Sequence, residues 1–383
     1  MLNFLKGSTD DELDAFFNLL QNDEADQPFV TKSAFSQARK KLKYDAFIEL
    51  NQVLVDTFFN QSKGARWKGF RICAVDGSII NLPNKEALKE HFHPKCKEGK
   101  QLQARASQLY DVLNHVTIDA LLKPHAIGER ALATQHLMHT QADDLVLYDR
   151  GYPSFPLFAQ HREMNRHYCA RSPWNLFNET RDFWLSGKQQ EWVELTPCHK
   201  AKQECKKLGI SAEPIKVRLV RVDLESEEPE ILITSVLSEN IITAAEFKAL
   251  YHLRWGVEED YKRMKCRLEV EQFSGLSVNA IYQDFHAKIF SKNLTALMVN
   301  EAQKQVDQKK LHCQLSYKVN FTRALSKMKD NIIKLLIFSH ELHHFNKIIK
   351  WISNYSEAVR PGRSFDRKTK VSKTCSINYK RVR

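Results

Sequence analysis

Apolar residues recur at helical spacing near both ends of the chain. The segments with this spacing lie at 8–22, 30–42, 45–60, 284–306 and 332–353. In the first of them, acidic residues crowd the first turn, where the helix dipole favours negative charge. The pattern therefore predicts helical regions before and after a differently organised middle part.

Short, continuous apolar runs take over after residue 66. The runs at 70–76 and 145–149 are rich in aliphatic residues, and each ends at an aspartate, Asp76 and Asp149. Such runs are typical of strands covered on both faces, as in parallel sheets. Helical spacing at 129–140 lies between them, so alternation of strand and helix predicts an α/β fold.

Residues 173–240 have a different pattern: short runs in which apolar and polar residues alternate are separated by glycine and proline. These runs lie at 183–185, 192–195, 215–222 and 230–237. Alternation with period two predicts strands, and hence a β-rich insertion. Trp184 and Trp192 lie in this insertion, and a core position is the ordinary expectation for both.

The stretch at 251–265, YHLRWGVEEDYKRMK, predicts one continuous helix. At about 100° per residue, four side chains fall within roughly 60° of one another: Tyr251, Arg254, Glu258 and Lys265. A carboxylate between two cations suits a metal ligand flanked by phosphate-binding groups. A solvated amphipathic helix with i,i+4 ion pairs fits the same pattern.

Asp76, Asp149 and Glu258 form a candidate constellation. The carboxyl ends of parallel strands meet at one edge of a sheet, where ligands bind. Carboxylates gathered there repel each other unless cations neutralise them. Hard oxygen ligands select Mg²⁺ or Mn²⁺, and two such ions support phosphodiester chemistry. Taken alone, each aspartate is more commonly an ordinary turn residue at a strand end, and the specificity lies in the combination.

Composition favours a polyanionic partner. The 383 residues carry a net charge of +12, and 43% are apolar, which is a globular rather than a disordered composition. The chain has no run of 18 apolar residues and no signal-peptide pattern, so an intracellular location is expected. The eight cysteines form no CxxC pair, and the histidines near Cys96 and Cys198 lack zinc-site spacing.

Basic residues concentrate in two places. The predicted helix at 30–42 contains Arg39, Lys40 and Lys41, and the tail from Arg360 contains nine Lys or Arg against the single acid Asp366. The N-terminal helices resemble a helix-turn-helix-like DNA-binding module, although an ordinary helical subdomain with a basic face remains open. In that helix we expect Phe35, Ala38 and Leu42 to face inwards and Lys40 and Lys41 to face outwards.

Three sequence blocks together resemble a known family. AVDGS at 74–78, LYDRGY at 147–152 and Y-x2-R-x3-E-x6-K at 251–265 resemble the DDE transposases of bacterial insertion sequences. They are most similar to the insertion-sequence-four group, whose hallmark is the Tyr-Arg-Glu-Lys signature. Further similarity lies at 33–42, 231–237, 273–275, 292–294 and 359–363, so the resemblance spans nearly all of the chain.

The resemblance implies a ribonuclease-H-like core with a β-rich insertion, a small helical N-terminal module and a helical C-terminal region. The expected boundaries are 1–65 for the DNA-binding module, 66–172 and 241–310 for the core, 173–240 for the insertion, and 311–383 for the C-terminal region with its basic tail.

The resemblance also implies roles for individual residues. Asp76, Asp149 and Glu258 match the catalytic triad that binds two Mg²⁺ or Mn²⁺ ions. Tyr251, Arg254 and Lys265 match the signature residues that hold DNA near the cleaved end. Arg171, Arg39, Lys40 and Lys41 are further candidates for phosphate contacts, a surface ion pair being an equal alternative for Arg171.

The implied activity is nicking at the element's terminal inverted repeats, followed by transfer of the freed 3′ hydroxyl to target DNA. Relatives with this insertion commonly form a DNA hairpin at the element end, and an aromatic side chain accommodates a flipped base. In this chain, Trp184 and Trp192 are the candidates for that side chain. The pairing of two element ends implies a homodimer. The expected location is the bacterial cytoplasm, with association with the nucleoid when DNA is bound.

Two alternatives remain open. One is a catalytically silent DNA-binding relative of the same fold. The other is a ribonuclease-H-like exonuclease with four carboxylates, which would need a glutamate near Asp76 on its strand, where Gly77 and Ser78 offer none.

Overall fold

The computed structural model describes residues 9–21, 30–62, 64–223, 229–337 and 342–360. The predicted basic tail lies beyond these residues, apart from Arg360 itself. The fold is α/β, as predicted, and its centre is an eight-stranded mixed sheet.

The elements follow the chain in three groups. The first contains α1 (Thr9–Gln21), α2 (Lys32–Lys41) and α3 (Asp45–Gln61). The second contains β1 (Arg71–Asn81), α4 (Glu86–Phe92), β2 (Gln103–Asp111), β3 (Val116–Pro124), α5 (Glu129–His136), β4 (Asp144–Tyr148), α6 (Phe155–Glu163), β5 (His167–Ser172), α7 (Asn178–Ser186), β6 (Gln190–Leu195), α8 (His199–Leu208), β7 (Ile215–Val222), β8 (Glu230–Thr234), α9 (Glu246–His252) and α10 (Trp255–Cys266). The third contains α11 (Val278–Lys309), β9 (Tyr317–Val319), α12 (Phe321–Ile337), α13 (Leu342–Ser353) and β10 (Ser356–Ala358).

The parallel strands β1, β4 and β5 form the middle of the sheet. Their apolar residues are buried on both faces, as the continuous runs predicted. The last paired residues of β1 and β4 are Val75 and Tyr148. Asp76 and Asp149 each follow directly, but β1 continues to Asn81, so the prediction that this strand ends at Asp76 was wrong, and both aspartates instead lie where the β1–β4 pairing ends.

The predicted insertion extends this sheet. Strands β6, β7 and β8 pair antiparallel and join it through β5. The prediction of a strand at 183–185 was wrong, because these residues lie in α7, which ends at Gly187 with a left-handed φ of 67°. The core position expected for Trp192 was also wrong, since 42% of this side chain is exposed.

The prediction of a single helix at 251–265 was wrong as well. Helix α9 ends at His252 and α10 begins at Trp255. Between them, the amides of Arg254, Gly256 and Val257 bond to carbonyls three residues back, which tightens the turn. Gly256 also packs closely on Val112, 3.3 Å from where its Cβ would lie.

The chain divides into two compact units. Unit 1 comprises Met1–Phe58, Ile79–Ala104 and Lys262–Arg383, and unit 2 comprises Phe59–Ser78 and Arg105–Tyr261. Unit 2 therefore contains Asp76, Asp149 and Glu258. No helix in the described ranges is long and apolar enough to cross a membrane.

In unit 1, Arg39 attaches α2 to α11. Its guanidinium donates to Gln283 Oε1 (2.7 Å), to Ser274 Oγ (2.6 Å) and to Asp284 Oδ1 (2.8 Å), and only 9% of the residue is exposed. Ala38, which was expected to face inwards, is exposed instead. The inward face of α2 thus contains Arg39, which was predicted as a candidate for phosphate contacts.

Candidate active site

Asp76 lies just past the β1–β4 ladder and is half-buried. Burial raises the pKa of its carboxyl group to about 7, the Gly77 amide and Arg254 oppose the rise, and the charges of Glu258 and Asp149 add to it. Because Glu258 and Asp149 act on the same carboxyl group, the three acidic side chains belong to one electrostatic cluster.

Asp149 accepts from two residues at the edge of β4. Arg171 Nη2 lies 3.0 Å from Asp149 Oδ1, and the hydroxyl of Tyr251 donates to the same oxygen over 3.3 Å. Arg171 also pairs with Glu230 at the start of β8. Arg171 therefore forms the ion pair that was one of its two predicted roles, and it does so with a candidate metal ligand.

Glu258 lies on the first turn of α10. Arg254 Nη2 donates to Glu258 Oε1 over 2.9 Å, so the i,i+4 contact survives the break between the helices. Only 3% of Arg254 is exposed. Burial lowers the pKa of its guanidinium, but Tyr251, Asp149 and Glu258 outweigh this and raise it overall.

Three of the four signature residues, Tyr251, Arg254 and Glu258, lie in unit 2 with both aspartates. Lys265 belongs to unit 1, where its Nζ donates to the carbonyl of Ile79 over 2.7 Å. Ile79 lies on β1, three residues after Asp76. The outer basic residues Lys40 and Lys41 are exposed on α2, whereas Arg39 is buried in its contacts with α11.

The donor set fits a hard divalent cation. Carboxylate oxygens are the ligands that Mg²⁺ and Mn²⁺ prefer, and the charges of Glu258 and Asp149 add to the burial that raises the pKa of Asp76. Within the described residues, no three His, Cys, Asp or Glu side chains already stand in a metal-holding arrangement. Asp149 and Glu258 face their arginines, so these pairs must open for both to reach one cation.

A model of the transposase DDE domain family matches residues 67–294, which is more than half of the chain. The chain belongs to this family. The predicted resemblance to DDE transposases of the insertion-sequence-four group is thereby confirmed.

Curated relatives of the DDE domain come from Escherichia coli K12. The transposase InsG of insertion sequence element IS4 is 24% identical over 246 residues, covering 63% of this chain and 55% of that protein. The putative transposase InsZ is 24% identical over 177 residues, covering 42% of this chain and 56% of that protein. The chain thus spans about half the length of the curated relatives it matches.

Among solved structures, the DDE domain is similar to a cryo-EM structure of the piggyBac transposase synaptic complex with hairpin DNA. The match covers 77% of this chain and 59% of that chain, with a TM-score of 0.41 and 10% identity.

Side chains that sequence reasoning missed support the first aspartate of the DDE domain. The hydroxyl of Tyr261 donates to the Asp76 carbonyl over 3.1 Å, and Ser107 Oγ lies 3.4 Å from the same oxygen. Ser107 contacts His136 Nε2 (2.9 Å), whose Nδ1 lies 2.6 Å from Asp119 Oδ2.

Ser107 and His136 are fully buried, so this Ser-His-Asp chain positions groups rather than attacking a substrate. Because the Asp119 carboxylate only accepts, the imidazole proton is assigned to Nδ1. The three residues of this Ser-His-Asp chain lie on β2, β3 and α5, and their spacing in the sequence did not predict that they are in contact.

A cavity of about 310 Å³ adjoins the Asp149 edge. It is lined by Arg150, Arg171, Ser172, Trp174, Trp184, Pro229, Glu230 and Ile231. Arginine and indole surfaces therefore meet next to a candidate metal ligand of the DDE domain.

Proposed function

We propose that this protein is a DNA transposase that nicks element ends and transfers the 3′ hydroxyl to DNA. The observation that carries the proposal is the cluster of Asp76, Asp149 and Glu258 around one edge of the sheet, with Arg171 and Arg254 beside it. Family membership supports the same reaction class.

Asp76, Asp149 and Glu258 would hold two Mg²⁺ or Mn²⁺ ions. Such ions neutralise phosphate charge and activate the attacking oxygen when bound. Asp149 and Glu258 are paired with Arg171 and Arg254, and if they held cations instead, both arginines would be free to bind DNA.

Arg254 and Arg171 are suited to a phosphate diester because a guanidinium donates two parallel hydrogen bonds to neighbouring oxygens. Arg254 is buried and paired with Glu258, so release of this ion pair would leave its guanidinium beside the developing negative charge. The hydroxyl of Tyr251, on α9, donates to Asp149 Oδ1 and so favours one orientation of that carboxylate.

We further propose that the cavity beside Asp149 accommodates an unpaired base near the cleaved end. Trp184 and Trp174 offer stacking surfaces there, and base–aromatic stacking is worth about 1–3 kcal/mol. Trp192 is the weaker candidate, because its Nε1 donates to the Leu237 carbonyl over 2.9 Å and its ring packs on Arg218.

Contacts along the DNA would come from Lys40, Lys41 and Lys265, together with the excess positive charge of the whole chain. Arg39 is a structural residue in this proposal. A homodimer would hold two terminal inverted repeats together with target DNA. A bacterial cytoplasmic location, partly on the nucleoid, follows from such a substrate.

The test is a cleavage assay on the inverted repeats that flank the coding region, with Mg²⁺, comparing wild type with Asp149→Ala. Nicking by wild type and none by the variant is the expected result. Binding without nicking by both proteins would instead establish the catalytically silent relative.

A further inference from the structure

The C-terminal helical part of unit 1 carries much of the positive charge of the chain. Residues 301–360 contain eleven Lys or Arg against five Asp or Glu, an excess of six in a chain whose net charge is +12. A positive excess of this kind attracts polyanions. Net charge does not locate a binding surface by itself, so the positions of the individual cations decide where one lies.

Two of these cations lie over aromatic rings that contact each other. The guanidinium of Arg323 lies 5.1 Å from the centroid of the Tyr355 ring, and Lys327 Nζ lies 4.9 Å from that of the Trp351 ring. The two ring centroids are 4.5 Å apart. Arg323 and Lys327 are one turn apart on α12, and the exposed Lys347 is one turn before Trp351 on α13. These five residues form a basic–aromatic surface on unit 1.

The cations of the basic–aromatic surface lack the acidic partners that similar cations have in unit 2. Among the described residues of unit 2, cations that lie over an aromatic ring also form a salt bridge with a carboxylate, as is the case for Lys68, Arg71, Arg218, Arg221 and Arg254. Arg323 and Lys327 form no salt bridge with any described acid. Glu357, on the nearby β10, accepts from Asn320 instead. The charge of both cations is therefore available to a ligand.

The basic–aromatic surface is better suited to phosphates than to bases. The rings of Trp351 and Tyr355 contact each other and each has a cation over it, so little ring surface remains for a stacked base. A cation–π contact leaves the N–H groups of the cation able to donate to phosphate oxygens, and it restricts a side chain whose freedom binding would otherwise remove. Phosphate contacts hold a protein on DNA without reading the base sequence.

We propose that the basic–aromatic surface binds the phosphates of duplex DNA independently of sequence, as a DNA-binding surface additional to the candidate active site. The choice of DNA as the polyanion rests on the proposed function. Because phosphate contacts do not read sequence, the surface contributes equally to the affinity for an element end and for an unrelated duplex of the same length.

The test measures binding of the full chain to these two duplexes at several salt concentrations. The double variant Arg323→Gln with Lys327→Gln should bind both duplexes more weakly, and the slope of log affinity against log salt should become less steep by about 1.8, the value for two phosphate contacts. The matched control is Lys206→Gln with Lys207→Gln, which removes two charges from exposed positions at the end of α8. The control should leave both slopes unchanged, and an equal loss in the control would overturn the inference.

Nicking of element ends by wild type separates this surface from the proposed function. If the double variant binds both duplexes as wild type does while wild type nicks element ends, the surface is refuted and the proposed function stands. If wild type binds neither duplex, the proposed function fails as well. Loss of affinity for the element end alone would contradict sequence-independent contact.

Two further measurements cover the remaining outcomes. If circular dichroism shows the double variant unfolded, Lys347→Gln decides: a slope less steep by about 0.9 supports the surface, and an unchanged slope overturns it. Cosedimentation with phosphatidylserine vesicles tests an acidic membrane as the alternative partner. Loss of vesicle binding in the double variant, with duplex binding unchanged, would overturn the assignment to DNA.

Discussion

The hydroxyl of Tyr261 donates to the main-chain carbonyl of Asp76 across 3.1 Å. Tyr261 lies one turn after Glu258 on α10, so this single bond fixes the helix of one candidate ligand against the strand of another. Burial is the main cause of the raised pKa of Asp76, and the charge of Glu258 adds to it, so the two carboxylates interact.

Tyr261→Phe should therefore lower the rate of end cleavage about tenfold while costing only about 1 kcal/mol of stability, the usual contribution of one hydrogen bond. Single-turnover cleavage and urea unfolding measure the two quantities. Tyr168→Phe is the control, because the Tyr168 hydroxyl is buried without a partner among the described residues, so its loss should leave cleavage unchanged and should not lower stability. Equal cleavage by Tyr261→Phe and wild type would contradict the positioning role.

Arg39 and Lys40 are neighbours in sequence with opposite expected phenotypes. Arg39→Ala leaves the buried Asp284 carboxylate without its arginine partner and should lower the free energy of unfolding by about 3–5 kcal/mol. Lys40→Ala should leave stability unchanged and reduce the slope of log affinity for end DNA against log salt by about 0.9, the value for one phosphate contact. Chemical unfolding and binding titrations at several salt concentrations test the pair. A full stability loss in Lys40→Ala would reverse the assignment.

His161 makes the stability of unit 2 depend on pH. Burial lowers its pKa to about 3 from the ordinary 6.5, and Nε2 accepts from the Tyr148 hydroxyl over 2.9 Å. The unfolded chain takes up a proton below about pH 6.5 while the folded chain does so only near pH 3. Stability is therefore lost as pH falls through this window, by up to about 1.4 kcal/mol per pH unit.

The double variant His161→Phe with Tyr148→Phe removes both the titrating ring and the hydroxyl that it satisfies. Urea unfolding at pH 7.5 and pH 5.5 should show a smaller stability loss on acidification in the double variant than in wild type. Parallel losses in the two proteins would mean that His161 is protonated in the fold.

The sequence predicted the features that follow from local pattern. Continuous apolar runs located β1 and β4, but β1 continues past Asp76 to Asn81, so only the position of Asp149 at a strand end followed from the pattern. The break at Leu253 and Arg254 was not predictable in the same way, since it accompanies the tight packing of Gly256 on Val112, a contact distant in sequence.

The helix that contains Trp184 had a recognisable sequence signal, but the alternating pattern around it outweighed that signal. The alternating residues at 183–185 favoured a strand, whereas Gly187, in the left-handed conformation at the end of α7, is a typical helix C-cap. The helix presents Trp184 to the cavity beside Asp149 and stacks it 4.9 Å from the Arg221 guanidinium. The ring is therefore ordered before any base arrives, which lowers the entropic cost of stacking.

From this geometry, Trp184→Ala should suppress the fluorescence rise of 2-aminopurine placed at the terminal base of an element end, with end binding reduced less than tenfold. Trp192→Ala should keep the fluorescence rise but lower stability, because it loses the bond to Leu237 and the packing on Arg218. Stopped-flow fluorescence on the same duplex compares the two variants. Loss of the signal in Trp192→Ala alone would move the base-accommodating role from α7 to β6.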